Sequence, residues 1–208
     1  MKARNFSIVI LITIFLSGCV VYSFYPLYTE KDLFPNDILI GEWRGDEWMD
    51  NDKAKTNWIF EHRYLGKKDM KNIDSTSYVL TLTTYEDDEV VESIFSVHVI
   101  KLGGEYFLDF YLKDFLEDDY LDLGSFHIIP VHTFAKLAIE EDKLIINWFD
   151  QAWLEELITE NKIRIHHEKN EDYILLTAKT KELQKFVTKY VNSEEAFEDG
   201  LEVVLHRK

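Results

Sequence analysis

The side chains that could do chemistry in this 208-residue chain fall into three small sets. Cys19 is the single cysteine, so an intrachain disulfide is excluded and its thiolate is available as a nucleophile. His98, His127 and His132 form the second set, with Asp109 as carboxylate partner, because two imidazoles and a carboxylate can hold zinc or iron. The stretch His127-Ile128-Ile129-Pro130-Val131-His132 bends at its proline, which draws the two rings toward each other. Against a metal stands the plainer reading that His132 and Thr133 bond backbone where a strand begins. No closed four-ligand set is visible, so the expectation is no metal and no cofactor. The third set is residues 114–122, which carry five carboxylates in nine positions. Calcium needs turn-forming spacing with a glycine, as in Asp-x-Asp-x-Asp-Gly; that spacing is absent, and the stretch reads as a solvated acidic loop.

His166 and His167 are adjacent, and neighbours on a strand point to opposite faces, so they cannot share one ion from regular geometry. The chain has no Gly-x-Ser-x-Gly elbow, no His-Glu-x-x-His and no glycine-rich phosphate loop. No catalytic residue is therefore assigned.

The surroundings of Cys19 say what its thiolate does. Lys2 and Arg4 make a basic head, Ile8 to Leu16 an apolar run interrupted only by Thr13, and Ser17-Gly18 a pair of small residues before the cysteine. That is a secretory signal layout. Leu16-Ser17-Gly18-Cys19 resembles the lipobox of bacterial lipoproteins, in which the cysteine is lipidated and becomes the mature N-terminus. The resemblance implies a signal peptide over residues 1–18, a lipidated N-terminus and short tether over 19–35, and one β-rich globular domain over 36–208. The competing reading is an uncleaved membrane span, since no charged residue occurs between Arg4 and Glu30. Ser17, Gly18 and Ser23 interrupt that span near its middle.

The formal net charge is −16, from 39 acidic and 23 basic residues, and removal of residues 1–18 takes away Lys2 and Arg4 but no carboxylate. Such a surface repels phosphate backbones, so nucleic acid is excluded as a partner. It repels anionic headgroups as well, which leaves the anchor rather than charge to reach a membrane. With 46% apolar residues the chain has enough to bury a core.

Alternation of apolar and polar residues positions most of these side chains on strands. Trp58, Phe60 and His62 alternate with Ile59, Glu61 and Arg63; Tyr78, Leu80 and Leu82 with Val79, Thr81 and Thr83. Val90 to Lys101 and Tyr106 to Leu112 flank Gly103-Gly104, a strong hairpin signal. Val131 to Glu140 pairs with Lys143 to Phe149, and Ile163 to His167 with Tyr173 to Ala178. Asp150 can cap a helix ending at Asn161, and Thr180 one whose Leu183, Phe186, Val187, Tyr190 and Val191 make a single stripe. A stripe that wide must be covered, so the helix belongs on the outside of the sheet or across one end. The expectation is a mainly β (α+β) fold, an antiparallel barrel-like or sandwich domain of about ten strands with two helices.

Two further resemblances bear on function. Gly41-Glu42-Trp43 resembles the Gly-x-Trp of lipocalin-like (calycin) families, which implies that Trp43 plugs the closed end of a barrel. Tyr25 to Asp32, Gly41-Glu42-Trp43, Pro130 to Phe134 and Leu176-Thr177-Ala178 with the Leu183 to Phe186 helix are together similar to a group of uncharacterised bacterial lipoproteins, which supplies no catalytic or ligand residue to transfer. The combined expectation is an envelope lipoprotein anchored to a membrane at Cys19, whose domain lies outside the cytoplasm and binds a small apolar ligand or an envelope protein without catalysis. A structural or assembly partner acting by surface contact, and a metal-assisted hydrolase using the three histidines, are the alternatives.

Mass spectrometry of the protein from membranes is expected to show an acylated Cys19 as the N-terminal residue, and Cys19→Ala to accumulate unprocessed precursor. A native chain that retains residues 1–18 would establish the membrane span instead.

Overall fold

The computed structural model describes residues 20–45, 55–64, 73–86, 89–114, 129–170 and 173–208. Leu16 to Cys19, His127 and most of the acidic stretch 114–122 lie outside the described residues. Among those described there are eleven strands and two α-helices, and no helix is long and apolar enough to cross a membrane.

Eight strands close into an antiparallel barrel: β2 (Gly41–Gly45), β3 (Lys55–Tyr64), β4 (Ile73–Glu86), β5 (Glu89–Leu102), β6 (Glu105–Asp114), β7 (His132–Glu140), β8 (Lys143–Trp148) and β11 (Glu202–Arg207). The order is β6-β5-β4-β3-β2-β11-β8-β7, and β6 pairs with β7 from Tyr106↔Leu137 to Tyr111↔His132 to close the ring. Closure leaves no free edge in this ring. Three short strands extend it: β1 (Tyr22–Ser23) pairs with the first residues of β7, β10 (Ile174–Leu176) runs parallel to β1, and β9 (His167–Lys169) pairs with β10. The Gly103-Gly104 turn has φ of 61° and 95°, the left-handed values that a two-residue hairpin requires.

Most expected elements form where the pattern places them. Asp150 caps α1 (Gln151–Thr159) by accepting from the Ala152 N–H at 2.8 Å, and Asn161 takes φ 56° just beyond its end. α2 (Thr180–Tyr190) begins one residue earlier than a Thr180 cap implies. Lys179 is at the cap position, and the Thr180 hydroxyl donates instead to the Pro26 carbonyl at 2.8 Å. The third hairpin is shorter and later than the expected Ile163–His167 and Tyr173–Ala178, pairing His167–Lys169 with Ile174–Leu176, and the two-residue β1, which carries no alternation to reveal it, joins it to β7.

The side chains sort into two apolar clusters. The first fills the barrel: Trp43, Trp58, Phe60, Tyr78, Leu80, Val97, Val99, Leu108, Phe110 and Trp148 are among its buried members. The second lies outside, where Ile100 and Phe107 from the barrel wall and Phe134 from β7 meet Leu183, Phe186 and Val187 of α2, with Phe149 and Leu154 beside them. Strands β5 and β6 therefore bury both faces, Val99 and Leu108 inward, Ile100 and Phe107 outward. The stripe on α2 is what covers the outer face. Phe186 stands at its centre, within 5.5 Å of both the Phe149 and Tyr190 ring centroids.

Phe186→Asp is expected to unfold or aggregate the protein, because burying each large apolar side chain contributes about 1.5–3 kcal/mol and a charge would replace one of them. Lys185 is exposed on the opposite face, and Lys185→Asp is expected to shift the thermal midpoint negligibly. A folded, monomeric Phe186→Asp protein by circular dichroism and gel filtration would show that the stripe does not hold the helix.

Candidate functional site

Two parts of this framework gather functional side chains: the barrel interior, and the outer wall at β5–β7. The interior is graded from floor to mouth. At the floor, where β2 begins and β11 ends, Trp43 is fully buried and its indole N–H donates to the Leu39 carbonyl at 2.8 Å. The Arg207 guanidinium sits 4.3 Å above the Trp43 ring and donates to the Ile40 and Ile38 carbonyls at 3.1 and 2.5 Å. Gly41 has φ +129°, and a Cβ there would lie 3.2 Å from Arg207 Nη1. The Gly-x-Trp thus shapes this closure, with glycine admitting the arginine and tryptophan giving it a face to cover. The Tyr78 hydroxyl accepts from the Asn36 N–H at 2.7 Å and ties the approach to β2 across the same end.

Toward the mouth, where β2, β4, β6 and β8 end, the interior remains aromatic and nearly as buried. Trp58, Phe110 and Trp148 keep 5%, 4% and 6% exposure, while Trp43, Phe60 and Leu80 keep none; Leu82 and Phe95 are partly buried beside them. The rings touch one another: Phe110 stacks on Trp148 at 5.4 Å and meets Trp58 and Phe95 edge-on at 6.4 Å. Both indole N–H groups are satisfied by threonines, Trp58 by Thr56 Oγ1 at 3.1 Å and Trp148 by Thr133 Oγ1 at 3.4 Å. An added Cβ at Gly45 would lie 2.1 Å from that Thr56 hydroxyl, so glycine at this position is what leaves it room. With their polar atoms paired, the aromatic walls present apolar faces only, as the walls of small-molecule sites do.

On the outer wall, Asp109 is fully buried and accepts two hydrogen bonds, from the Leu27 N–H at 2.8 Å and from His132 Nδ1–H at 2.7 Å. Burial pushes its carboxyl upward, and the His132 and Leu27 donors oppose that shift. His98 is the cross-strand neighbour of Asp109, and its ring stacks on Tyr28 at 4.2 Å. Burial holds the His98 imidazole down at about 4, with Asp74 pulling the other way and His132, Arg63 and Lys113 adding to the depression. Its Nδ1 is buried without a hydrogen-bond partner. Tyr28 is pushed up to about 12 by burial and by Asp109.

The structure thus brings together His132 and Asp109, with His98 beside them, while His127 lies outside the described residues. Among the described residues no three His, Cys, Asp or Glu side chains converge as a metal site. A hydrolytic triad is not formed here either. Ser23 pairs with His132 across β1 and β7, but Ser23 is fully buried and its hydroxyl donates to the Tyr25 carbonyl at 2.7 Å. The arrangement secures the N-terminal segment: Leu27 gives its N–H to Asp109 and its carbonyl to Gln184 Nε2 at 2.9 Å, so both backbone groups of a fully buried residue are paired. These two Leu27 contacts were not legible because they join residues 82 and 157 positions apart.

His166 and His167 diverge as expected. His166 Nδ1 lies 2.8 Å from Glu182 Oε2 of α2, and His167 Nδ1 bonds the Ile165 carbonyl at 2.8 Å. A groove of about 490 Å³ beside α1 is lined by Asp150, Glu156, Glu195, Glu198 and Asp199 with Lys162, Trp153 and Leu157; Asp150 is already engaged as the helix cap. Comparison of the chain with protein-family models, with curated proteins and with solved structures gives no match.

His98 makes stability depend on acid. Its folded value of about 4 lies below the ordinary 6.5, so between these values the unfolded chain takes up a proton that the native chain refuses, and stability falls as pH falls through this window. The upper bound is about 3 kcal/mol, reduced by screening because the ring is partly exposed. Urea midpoints at pH 7 and pH 5 are expected to converge in His98→Phe relative to the native protein. An unchanged gap between the two midpoints would show that another group carries the acid sensitivity.

Proposed function

We propose that this chain is a lipid-anchored protein of the bacterial cell envelope whose barrel takes up a small apolar molecule at its aromatic mouth and catalyses no reaction on it. The antiparallel barrel is compatible with a binding domain. The observation that carries the finer reading is the aromatic cluster toward one end of the interior, where Trp58, Phe110 and Trp148 are in ring contact and keep 4–6% exposure while Trp43, Phe60 and Leu80 keep none. A barrel filled only for stability has no need to present three satisfied aromatic residues at one end. The anchor is supported by the lipobox-like Leu16-Ser17-Gly18-Cys19.

A second reading, a structural or assembly partner acting by surface contact, is favoured by one observation. Phe24, Tyr25, Ile129 and Tyr173 are exposed where the chain joins the barrel, and an apolar patch on a folded surface commonly marks a contact.

A neutral fluorescent amphiphile such as N-phenyl-1-naphthylamine is expected to bind saturably, with energy transfer from Trp58 and Trp148. Leu82→Arg places a cation in the mouth and is expected to abolish that binding at least tenfold, about 1.4 kcal/mol or more, while the thermal midpoint moves little. Absence of saturable binding to the native protein, or unchanged binding in Leu82→Arg, would overturn the ligand-binding reading and leave surface contact in first place.

A further inference from the structure

The surface around β1 has a composition and a position that together identify what covers it. Phe24, Tyr25, Ile129 and Tyr173 are 53%, 36%, 73% and 46% exposed. They belong to one region: the Phe24 and Tyr25 rings meet at 5.2 Å, the Tyr173 ring meets Tyr22 at 6.2 Å, and Phe24 bonds the Leu176 carbonyl through its N–H at 2.8 Å. Ile129 lies three residues before His132, which pairs with Ser23.

The place where the chain enters the barrel selects the occupant. Val21 is buried in the outer cluster and Val20 packs against the inner one, so no free spacer separates Cys19 from the barrel. At most about 11 Å of backbone separates Cys19 from Tyr22, at about 3.3–3.6 Å per residue. Acyl chains on Cys19 would therefore hold this surface, and no other, against the bilayer. Two tyrosines with an exposed phenylalanine and isoleucine are suited to the headgroup boundary, where amphipathic rings partition.

Charge sets the tilt. β4 ends at Glu86, β5 begins at Glu89 and β6 ends at Asp114, so the strand ends at this side of the mouth carry acidic residues in the sequence. Anionic headgroups repel those tips, so that side of the mouth is held in water while the β1 side touches lipid. We propose that Phe24, Tyr25, Ile129 and Tyr173 form a membrane-contact foot that fixes a tilted orientation of the barrel on a lipid surface, with the mouth beside the bilayer rather than plugged by it. This rests on the lipid-anchor reading.

The test uses the full-length protein purified from membranes and reconstituted in vesicles of phosphatidylethanolamine and phosphatidylglycerol. Ile129→Cys and, as reference at the floor, Glu141→Cys are labelled with an environment-sensitive maleimide dye. An acylated Cys19 has no free thiol, so the native protein should take no label. The expected result is a blue-shifted emission at position 129 that is quenched by spin-labelled lipid, with position 141 water-like and unquenched. If the native protein takes no label but position 129 stays water-like, the foot is refuted and the anchor stands. If the native protein labels at Cys19, the anchor itself fails and the foot with it. A blue shift at 129 in native envelopes that is absent in pure lipid vesicles would assign the patch to a protein partner and overturn the lipid assignment.

Discussion

The buried carboxylate of Asp109 is the interaction on which the placement of everything outside the barrel depends. β5 and β6 turn apolar side chains outward as well as inward, and an outer wall with Ile100 and Phe107 cannot be left wet. The N-terminal strap covers part of it, reaching β5 backbone at Ile100 and Val99 through Leu33 and Phe34 and β6 through a side chain at Leu27. Leu27 N–H has no ladder partner available, and Asp109 supplies one from the wall itself. His132 supplies the second donor, so the carboxylate is desolvated but not abandoned. Removing one partner from such a buried pair typically costs about 3–5 kcal/mol, because the other is left uncompensated.

From that pin the remaining contacts follow in sequence. Leu27 fixed at Asp109 places Tyr28 over His98, and the turn closed by Thr29 and Asp32 carries the chain back along β5, where Leu33 bridges Ile100 and Phe34 bonds the Val99 carbonyl. α2 then rests on the strap as well as on the wall, through Thr180 to Pro26 and Gln184 to Leu27 and Asp32. The helix stripe alone would allow several seats on an apolar wall; these directional bonds select one of them. The outer core is a three-part joint of wall, strap and helix.

What was legible in the sequence is what obeys a local period. The alternation of Tyr78, Leu80 and Leu82, the Gly103-Gly104 turn, the Asp150 cap, Asn161 and the stripe on α2 each express a rule within a window of a few residues, and each is found in the structure. Trp43 was legible as a plug because Gly-x-Trp is a local signature, but its cover was not: Arg207 is one cation near the end of the chain, and nothing in its neighbourhood announces an aromatic partner 164 positions away. β1 escaped for a related reason, since two residues cannot show a period. At the candidate site the sequence offered Asp109 as carboxylate partner to a metal set of His98, His127 and His132; in the structure Asp109 bonds His132 directly, and His127 lies outside the described residues. The metal reading did not anticipate that a backbone N–H from the strap would take the carboxylate's other oxygen.

The same accounting limits what the mouth can hold. Trp58 and Trp148 spend their N–H groups on Thr56 and Thr133, and Phe95 and Phe110 have none to give. A guest rich in hydrogen-bonding groups would lose its water and find no directional replacement on these walls, at a cost of about 1–3 kcal/mol for each group left unpaired. An apolar guest loses nothing comparable and gains contact with four aromatic faces. Depth sets the second limit, because Phe60 and Leu80 are packed without exposure and Trp43 is held under Arg207 at the floor. Going deeper would require displacing side chains from a core at solid-like density. On the binding reading proposed above, the interior would admit only guests that are apolar and short, or that enter by one end and leave the rest of their length outside the barrel.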